Sequence, residues 1–252
     1  MHVNIEEYIK EEMNSIADND LFFSLSLPDD NFQLLEIKKY FSNVKGKKIL
    51  DIGCGKGRFV KHFYKDGADV TGLDLADLLI TAARKNVHGA KFFSGSATNL
   101  PFDENSFDMV YSIETFEHIP DIEKAIMEIA RVLKPGGKVI VIDKAKYSLH
   151  PIFSVPTILR KWLLELSGKW MYSKSKSVDF KERYFTLKEL ERIFQKYFNQ
   201  SSSYKMQSYG IGSRAENLLQ KYPIIKLKFA ITNIIYKILP FTRFFIAWRW
   251  KK

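Results

Sequence analysis

The sequence predicts an α/β fold built on a mostly parallel sheet, and three observations lead there. Apolar runs of strand length alternate with helix-length stretches of 3.6 periodicity over residues 46–143. The connections are short and end in glycines. Strand–helix alternation with short connections requires parallel strands covered on both faces. The composition, 46% hydrophobic and 27% charged over 252 residues, is that of a chain able to bury one continuous core. Disorder, collagen-like repeats and coiled coil are excluded by the same figures.

The elements follow in order. Residues 4–16 and 31–42 are expected as short amphipathic helices ahead of the first strand. Lys48-Ile49-Leu50-Asp51-Ile52 is an apolar run ending in glycines, which suits a buried strand. A helix over 58–65 stops at Asp66-Gly67. A strand over 68–73, a helix over 76–86 and strands over 90–94 and 107–113 come next. The helix 121–133 carries Ile122, Ile126, Ile129 and Leu133 on one stripe and stops at Lys134-Pro135-Gly136-Gly137. A β-branched strand runs over 138–142. Beyond Asp143 the rhythm breaks. A helix is expected within 152–172, with Ile158, Leu159, Trp162, Leu163 and Leu166 on one side. Thr186-Leu187-Lys188-Glu189 is a capping box opening a helix to about Phe198. Residues 201–209 form a strand, and Ser213-Arg214-Ala215-Glu216 is a second capping box. The helix 224–239 places Ile224, Leu227, Ile231, Ile234 and Ile238 on one face, and 244–251 closes the sheet as a strand.

Charge is distributed unevenly. Residues 1–150 hold 19 Lys and Arg against 23 Asp and Glu, net −4; residues 151–252 hold 20 against 6, net +14. All four tryptophans, Trp162, Trp170, Trp248 and Trp250, lie in the basic part. Residues 221–252 carry eight cations and no acid. Three readings compete for this tail: phosphates of a nucleic acid, an anionic bilayer surface, or simple packing with lysines as a solvated rim. No recognised RNA-binding module is present, which makes nucleic acid the least favoured partner. A single cysteine, Cys54, excludes an internal disulfide framework and suits a reducing, cytoplasmic setting. The first twenty residues carry six acids and one lysine, unlike a signal or transit peptide. No apolar run approaches the ~20 residues that span a bilayer.

Chemistry is concentrated at the strand ends. Asp51-Ile52-Gly53-Cys54-Gly55-Lys56-Gly57 follows a strand and opens a helix. Glycines permit positive φ and close approach of backbone to a ligand, and the helix start supplies unpaired N–H groups. The spacing departs from the dinucleotide fingerprint, because the third glycine falls one place early and Arg58 takes its site. Asp51 at the strand end would repel a pyrophosphate and attract an ammonium. Asp74 ends the second strand, 21 residues after Gly53, where a carboxylate can accept both ribose hydroxyls. The pair suits a ligand with a ribose, a cationic amino-acid part and no diphosphate.

Five stretches in order carry a resemblance: ILDIGCGKG at 49–57, GLDL at 72–75, GSATNLPFDENSFDMVYS at 95–112, EHIPD at 117–121 and RVLKPGGKVIVID at 131–143. Over about residues 45–143 the chain resembles the class I S-adenosylmethionine-dependent methyltransferases, in particular the broad type 11 branch. A fainter echo lies in RYFTLKELERIF at 183–194. The resemblance implies a Rossmann-like, doubly wound, seven-stranded sheet. Its last strand is antiparallel beside strand five, and helical insertions follow strands five and six. It also implies a single domain over 1–252: N-terminal helices (1–45), a cofactor-binding core (46–143), an acceptor-side insertion (144–182) and a C-terminal part (183–252). Gly53, Cys54, Gly55 and Gly57 would lie under the methionine part of S-adenosyl-L-methionine, with Asp51 near its amino group. Asp74 would bind the ribose and Leu75 would pack on the adenine. The acid that usually follows the glycine after strand three is absent, and Ser96 stands there; the Ala97 N–H and the backbone around Ile113 would complete the pocket.

Glu114-Thr115-Phe116-Glu117-His118 follows strand four, where the methyl group would point. Histidine titrates near neutrality and can take a proton from a hydroxyl or amine. Two carboxylates and an imidazole could instead hold a divalent cation such as magnesium. The Glu-x-x-Glu-His spacing resembles the ubiquinone-biosynthesis O-methyltransferases, where these positions are associated with that metal. The plain alternative is that Glu117 and His118 cap the next helix or orient a loop. Tyr147 and His150 are outside candidates. The expected function is methyl transfer to a small or lipid-like acceptor, favouring an oxygen on a quinone, lipid or lipid-linked sugar. Peripheral contact with an anionic membrane is an accompanying expectation. A non-catalytic partner in a membrane-associated biosynthetic complex and an RNA methyltransferase are the alternatives; no Asn-Pro-Pro-Tyr type motif follows strand four to support the latter.

Overall fold

In the computed structural model, the described residues are 4–18, 24–149, 156–167, 180, 182–206, 223–239 and 245–252. Two helices precede the sheet. α1 (Ile5–Ser15) is capped by Asn4, whose side chain accepts from the Glu6 N–H, and α2 (Phe32–Phe41) by Asn31, which accepts from Gln33 and Leu34. The alternation then runs β1 (Lys48–Ile52), α3 (Arg58–Lys65), β2 (Asp69–Asp74), α4 (Asp77–Asn86), β3 (Lys91–Ser94) and β4 (Phe107–Ile113). A 3-10 turn at Phe116–His118 leads to α5 (Ile122–Val132) and β5 (Leu133–Lys144). α6 (Thr157–Leu166), α7 (Leu187–Phe194), β6 (Gln200–Met206), α8 (Pro223–Ile238) and β7 (Phe245–Lys251) complete the described elements.

The seven strands lie in the order β3-β2-β1-β4-β5-β7-β6. β1 to β5 pair in parallel, and β7 enters antiparallel between β5 and β6. The predicted architecture, including the antiparallel closing strand beside strand five, is the one observed. The order reverses between β1 and β4, the switch point at which open parallel sheets bind ligands beyond their carboxyl ends. One core cluster covers the face bearing α2 and α3, and the other buries Ile126, Ile129, Leu190 and Phe194 of α5 and α7. Trp248 and Trp250 are fully buried in the second cluster: Trp248 Nε1 donates to the Leu187 carbonyl at 2.9 Å, and the Trp250 ring stacks on Phe194. These tryptophans are core and have no need of a ligand.

Two local readings change, and one left open is decided. β5 begins at Leu133, not 138, because Lys134-Pro135-Gly136-Gly137 continues the strand: Leu133 pairs with Phe107, the Gly136 N–H donates to Lys252 and the Lys252 N–H to the Gly137 carbonyl. The helix expected to reach Phe198 ends at Phe194; its capping box is present, with Thr186 and Glu189 reciprocating. The apolar stripe of α8, for which packing and membrane contact were both open, points outward. Ile224, Leu227, Ile231, Ile234 and Ile238 are 45–70% exposed, while Thr232 and Tyr236 are fully buried and Tyr236 donates to the Leu149 carbonyl. Among the described side chains, Thr232 and Tyr236 on the opposite face anchor this helix. α6 behaves likewise, with Ile158, Leu159, Trp162, Leu163 and Leu166 all exposed. The second capping box, Ser213–Glu216, and Trp170 and His150 lie outside the described residues.

Candidate functional site

A cavity of about 840 Å³ opens over the carboxyl ends of β1, β2, β4 and β5. Its floor is the turn after β1. Gly53, Gly55 and Gly57 all adopt positive φ, at 78°, 52° and 78°. A Cβ on Gly53 would collide with the Thr115 side chain, so this crossing requires glycine. The Gly53 and Cys54 N–H groups both donate to the Leu73 carbonyl, tying the turn to β2. Gly57 does not line the cavity; it caps α3 in the left-handed region, and a Cβ there would press on Phe92. The other predicted cofactor residues, Asp51, Gly53, Cys54, Gly55, Asp74, Leu75, Ser96, Ala97 and Ile113, all line the cavity.

Two carboxyl groups stand over the turn. Asp74 is held in place by backbone donors: Gly55 N–H to Oδ2 at 2.9 Å and Ala76 N–H to Oδ1 at 3.0 Å. Burial nevertheless raises its pKa. Asp51 is 2% exposed and its Oδ2 has no hydrogen-bond partner. Burial pushes it up to about 8, with the nearby Asp74 charge adding to the rise. A buried carboxyl with an orphaned oxygen, facing a cavity, is a site for a cationic group that would restore its charge.

The segment after β4 forms the far wall. Glu114 adopts φ +50°, an unusual conformation for a residue with a side chain, and its N–H donates to the Ile142 carbonyl of β5. Its carboxylate accepts from Gln33 Nε2 at 3.0 Å and pairs with Lys144 at 3.7 Å. Glu117 is fully buried and ion-paired with Lys144. Burial alone would raise Glu117, but the Lys144 ammonium reverses this and holds it below the usual carboxylate range. His118 Nε2 stands 3.4 Å from Glu117 Oε1, and its Nδ1 stands 3.4 Å from Glu182 Oε1. Burial pulls the imidazole down, but the Glu182 and Glu117 carboxylates outweigh it and the net shift is upward. Glu117 Oε2 and Glu182 Oε2 have no hydrogen-bond partner.

Sequence reasoning did not find Glu182, Lys144, Arg160, Tyr184 or Glu6, which also line the cavity. Lys144 was within reach, since it ends strand five beside a cluster of acids. Glu182 was not: it lies in a segment with no periodicity, brought to His118 by the Arg183 N–H donating to the Glu117 carbonyl. Tyr147 is exposed and outside the cavity.

The three side chains expected to hold a divalent ion are not gathered. Glu117, His118 and Glu182 each offer a ligand atom within 4.8 Å of the others, with Glu182 in the place expected of Glu114. Lys144 already supplies the positive charge that both Glu117 and Glu114 answer. A resident divalent ion does not fit this donor set.

Residues 50–141 match the family described as methyltransferase domain. Among curated proteins, the chain is 32% identical over 138 residues to the demethylmenaquinone methyltransferase of Staphylococcus epidermidis, covering 52% of this chain and 57% of that protein. It is 36% identical over 105 residues to the chloroplastic tocopherol O-methyltransferase of Arabidopsis thaliana, covering 39% of this chain and 30% of that one. The chain thus spans little more than half the length of the first of these relatives. In fold it is similar to phosphoethanolamine N-methyltransferase 2 of Haemonchus contortus, solved with S-adenosyl-L-methionine. The TM-score is 0.64 at 20% identity, over 99% of this chain and 60% of that one.

Proposed function

We propose that this chain is an S-adenosylmethionine-dependent methyltransferase acting on a small or lipid-like acceptor. The favoured nucleophile is an oxygen on a quinone, a lipid or a lipid-linked sugar. The observation that carries the cofactor is the pair of carboxyls over a glycine turn. Asp51 is buried, neutral at pH 7 and short of one partner, as a site for an ammonium should be; Asp74 is fixed for two hydroxyls. The curated relatives, which include methyltransferases of quinone-like and tocopherol acceptors, support the acceptor class.

The cofactor supplies an electrophilic methyl on a cationic sulfur. The chain's work is to bind, align and deprotonate. Asp51 and the Gly53–Gly55 backbone hold the amino-acid end, and Asp74 holds the ribose. The acceptor enters under α6, where Arg160 and Leu164 join Tyr184 in the cavity wall. His118 takes the acceptor's proton as the carbon–oxygen bond forms and the carbon–sulfur bond breaks. Glu182 and Glu117 stabilise the imidazolium so produced, a contribution of about 10²–10⁴ in rate when the base is well placed. Alignment contributes further through proximity.

Asp74→Ala is expected to weaken binding of S-adenosylhomocysteine by more than tenfold in calorimetry, since hydrogen bonds to a charged group are worth ~1.5–3 kcal/mol each. Asp74→Asn, which keeps an acceptor for one backbone N–H, should weaken it as well. Wild-type affinity in both variants would remove Asp74 from the cofactor site.

The exposed faces of α6 and α8 add a setting for the reaction. Two apolar helix faces lie in the half of the chain with net charge +14, and α8 has no acid. Tyr236 of α8 bonds to Leu149, which bridges Pro156 at the start of α6, so both helices are tied to the same short segment. An anionic bilayer surface matches both properties: apolar side chains enter the interface, and each lysine near it contributes ~1 kcal/mol. We read these faces as the side from which an apolar acceptor is taken. Among the described residues no helix is long and apolar enough to cross a membrane. The protein should sediment with vesicles containing phosphatidylglycerol and less so with pure phosphatidylcholine. Trp162→Glu with Ile231→Glu should abolish the binding while leaving cofactor affinity intact. Equal recovery of both proteins in the supernatant would contradict this reading.

A further inference from the structure

The cofactor reading leaves the base end of the ligand without an obvious partner, because Ser96 stands after strand three where a carboxylate would be expected. The structure supplies a carboxylate from elsewhere. β1, β2 and β3 are adjacent in the sheet, and neighbouring strands lie about 4.8 Å apart. A ligand with its ammonium at Asp51 and its ribose at Asp74 therefore reaches the Gly95-Ser96-Ala97 turn next. At that turn Ser96 Oγ and Thr98 Oγ1 both donate to Glu6 Oε1 at 2.8 Å, and the Thr98 N–H donates to Ser96 Oγ at 3.0 Å. Among the described residues both side-chain bonds fall on Oε1, and Glu6 lines the cavity.

Glu6 belongs to α1, which lies outside the sheet and its covering helices. The helix is fixed over the cavity by three kinds of contact. Lys10 pairs with Asp77 at 2.8 Å, and the Leu78 N–H donates to Asn14 Oδ1 at 3.1 Å. Ile9, Met13 and Ala17 bury against Ala76, Leu79 and Phe180. Ile9, Met13, Leu75 and Leu79 pack together and line the cavity, which offers a flat base an apolar surface.

We infer that Glu6 reads the base of the cofactor, accepting the exocyclic amino group of adenine on a carboxylate that Ser96 and Thr98 orient. This rests on the proposed cofactor and adds to it the residue that sets base specificity. Ser96 is then the anchor of the reader, and its small size leaves the space that Glu6 fills. Base recognition also becomes dependent on α1 being docked.

The test compares S-adenosylhomocysteine with S-inosylhomocysteine, in which the 6-amino donor is replaced by a 6-oxo acceptor. A carboxylate facing an acceptor leaves both groups unpaired and repelling. The wild-type protein should prefer the adenosyl ligand by at least about tenfold in calorimetry. Glu6→Gln, whose amide can donate to the oxo group, should narrow that ratio to about threefold or less, and Glu6→Ala should also narrow it. Circular dichroism would show that both variants retain the fold. A wild-type ratio in either variant would overturn the role of Glu6. Failure of the wild-type protein to bind either nucleoside would overturn the cofactor reading beneath it.

Discussion

Asp51→Asn is expected to stabilise the unliganded protein at pH 7 while weakening cofactor binding, two effects that oppose each other in one substitution. Asp51 is buried with its folded pKa pushed up to about 8, against about 3.8 in the unfolded chain. Between those values the unfolded state holds the ionised form and the folded state must take up a proton. Ionisation of Asp51 therefore opposes folding. The cost is absent below about pH 4, grows by about 1.4 kcal/mol per unit as pH rises, and levels off above about pH 8. Asparagine fills the same volume without that cost, though it leaves its own polar atoms to satisfy, so the net gain at pH 7 should be on the order of 1–3 kcal/mol. For a chain of this size that is a rise of several degrees in Tm.

The same substitution removes the charge that answers the ligand's ammonium. Affinity for S-adenosylhomocysteine should fall roughly 10- to 100-fold. Wild-type binding at pH 7 should also release close to one proton, seen as a dependence of the calorimetric heat on buffer ionisation enthalpy, and the variant should release none from this group. A melting curve repeated at pH 4 should show little difference between the two proteins. Loss of stability at pH 7 with binding unchanged would make Asp51 a structural residue and remove the ammonium site.

The second large effect is on turnover. His118→Gln should lower the rate of methyl transfer by about 10²–10⁴-fold while leaving cofactor affinity within about twofold, since a proton acceptor on the far wall contributes to the reaction and little to the cofactor. The pH dependence distinguishes this role from a structural one. His118 is raised above its ordinary value of 6.5, despite the lowering effect of burial, by the Glu182 and Glu117 carboxylates. The basic form is lost as pH falls, so turnover should decline on the acid side with a midpoint above 6.5. Glu182→Gln removes the largest raising charge, and the midpoint should move toward lower pH. A wild-type rate in His118→Gln, or an acid limb that stays in place in Glu182→Gln, would return Glu117 and His118 to the part of helix-capping residues.

The glycine turn and the two carboxyls over it were legible because they are local. Asp51, Gly53 and Gly55 fall within five residues of one strand–turn–helix unit, and their spacing reports backbone geometry directly. Asp74 ends a strand whose register against β1 is set by alternation alone. The rest of the cavity wall depends on contacts between distant segments. Glu182 meets His118 across 64 positions, Glu6 meets Ser96 across 90, and no periodicity in either segment marks the meeting. The amphipathic stripe of α8 was legible as a stripe, while whether it packs or meets a membrane stayed open in the sequence. Hydrophobic periodicity identifies one side of a helix, but it does not say whether that side meets the core or another surface. Here Tyr236, which pairs a large ring with a hydroxyl bonded to Leu149, anchors the helix instead.

The claim at the centre of this account is methyl transfer from S-adenosylmethionine to an apolar acceptor. The most direct test is to incubate the purified protein with methyl-labelled cofactor and a total extract of its host, then partition the products between organic solvent and water. Label in the organic phase, reduced at sub-saturating cofactor with Asp51→Asn, is the predicted result. An unlabelled organic phase, from protein that binds the cofactor, would contradict the account. Label in the aqueous phase alone would then point to sugars, small metabolites or RNA, and label in neither to a non-catalytic partner.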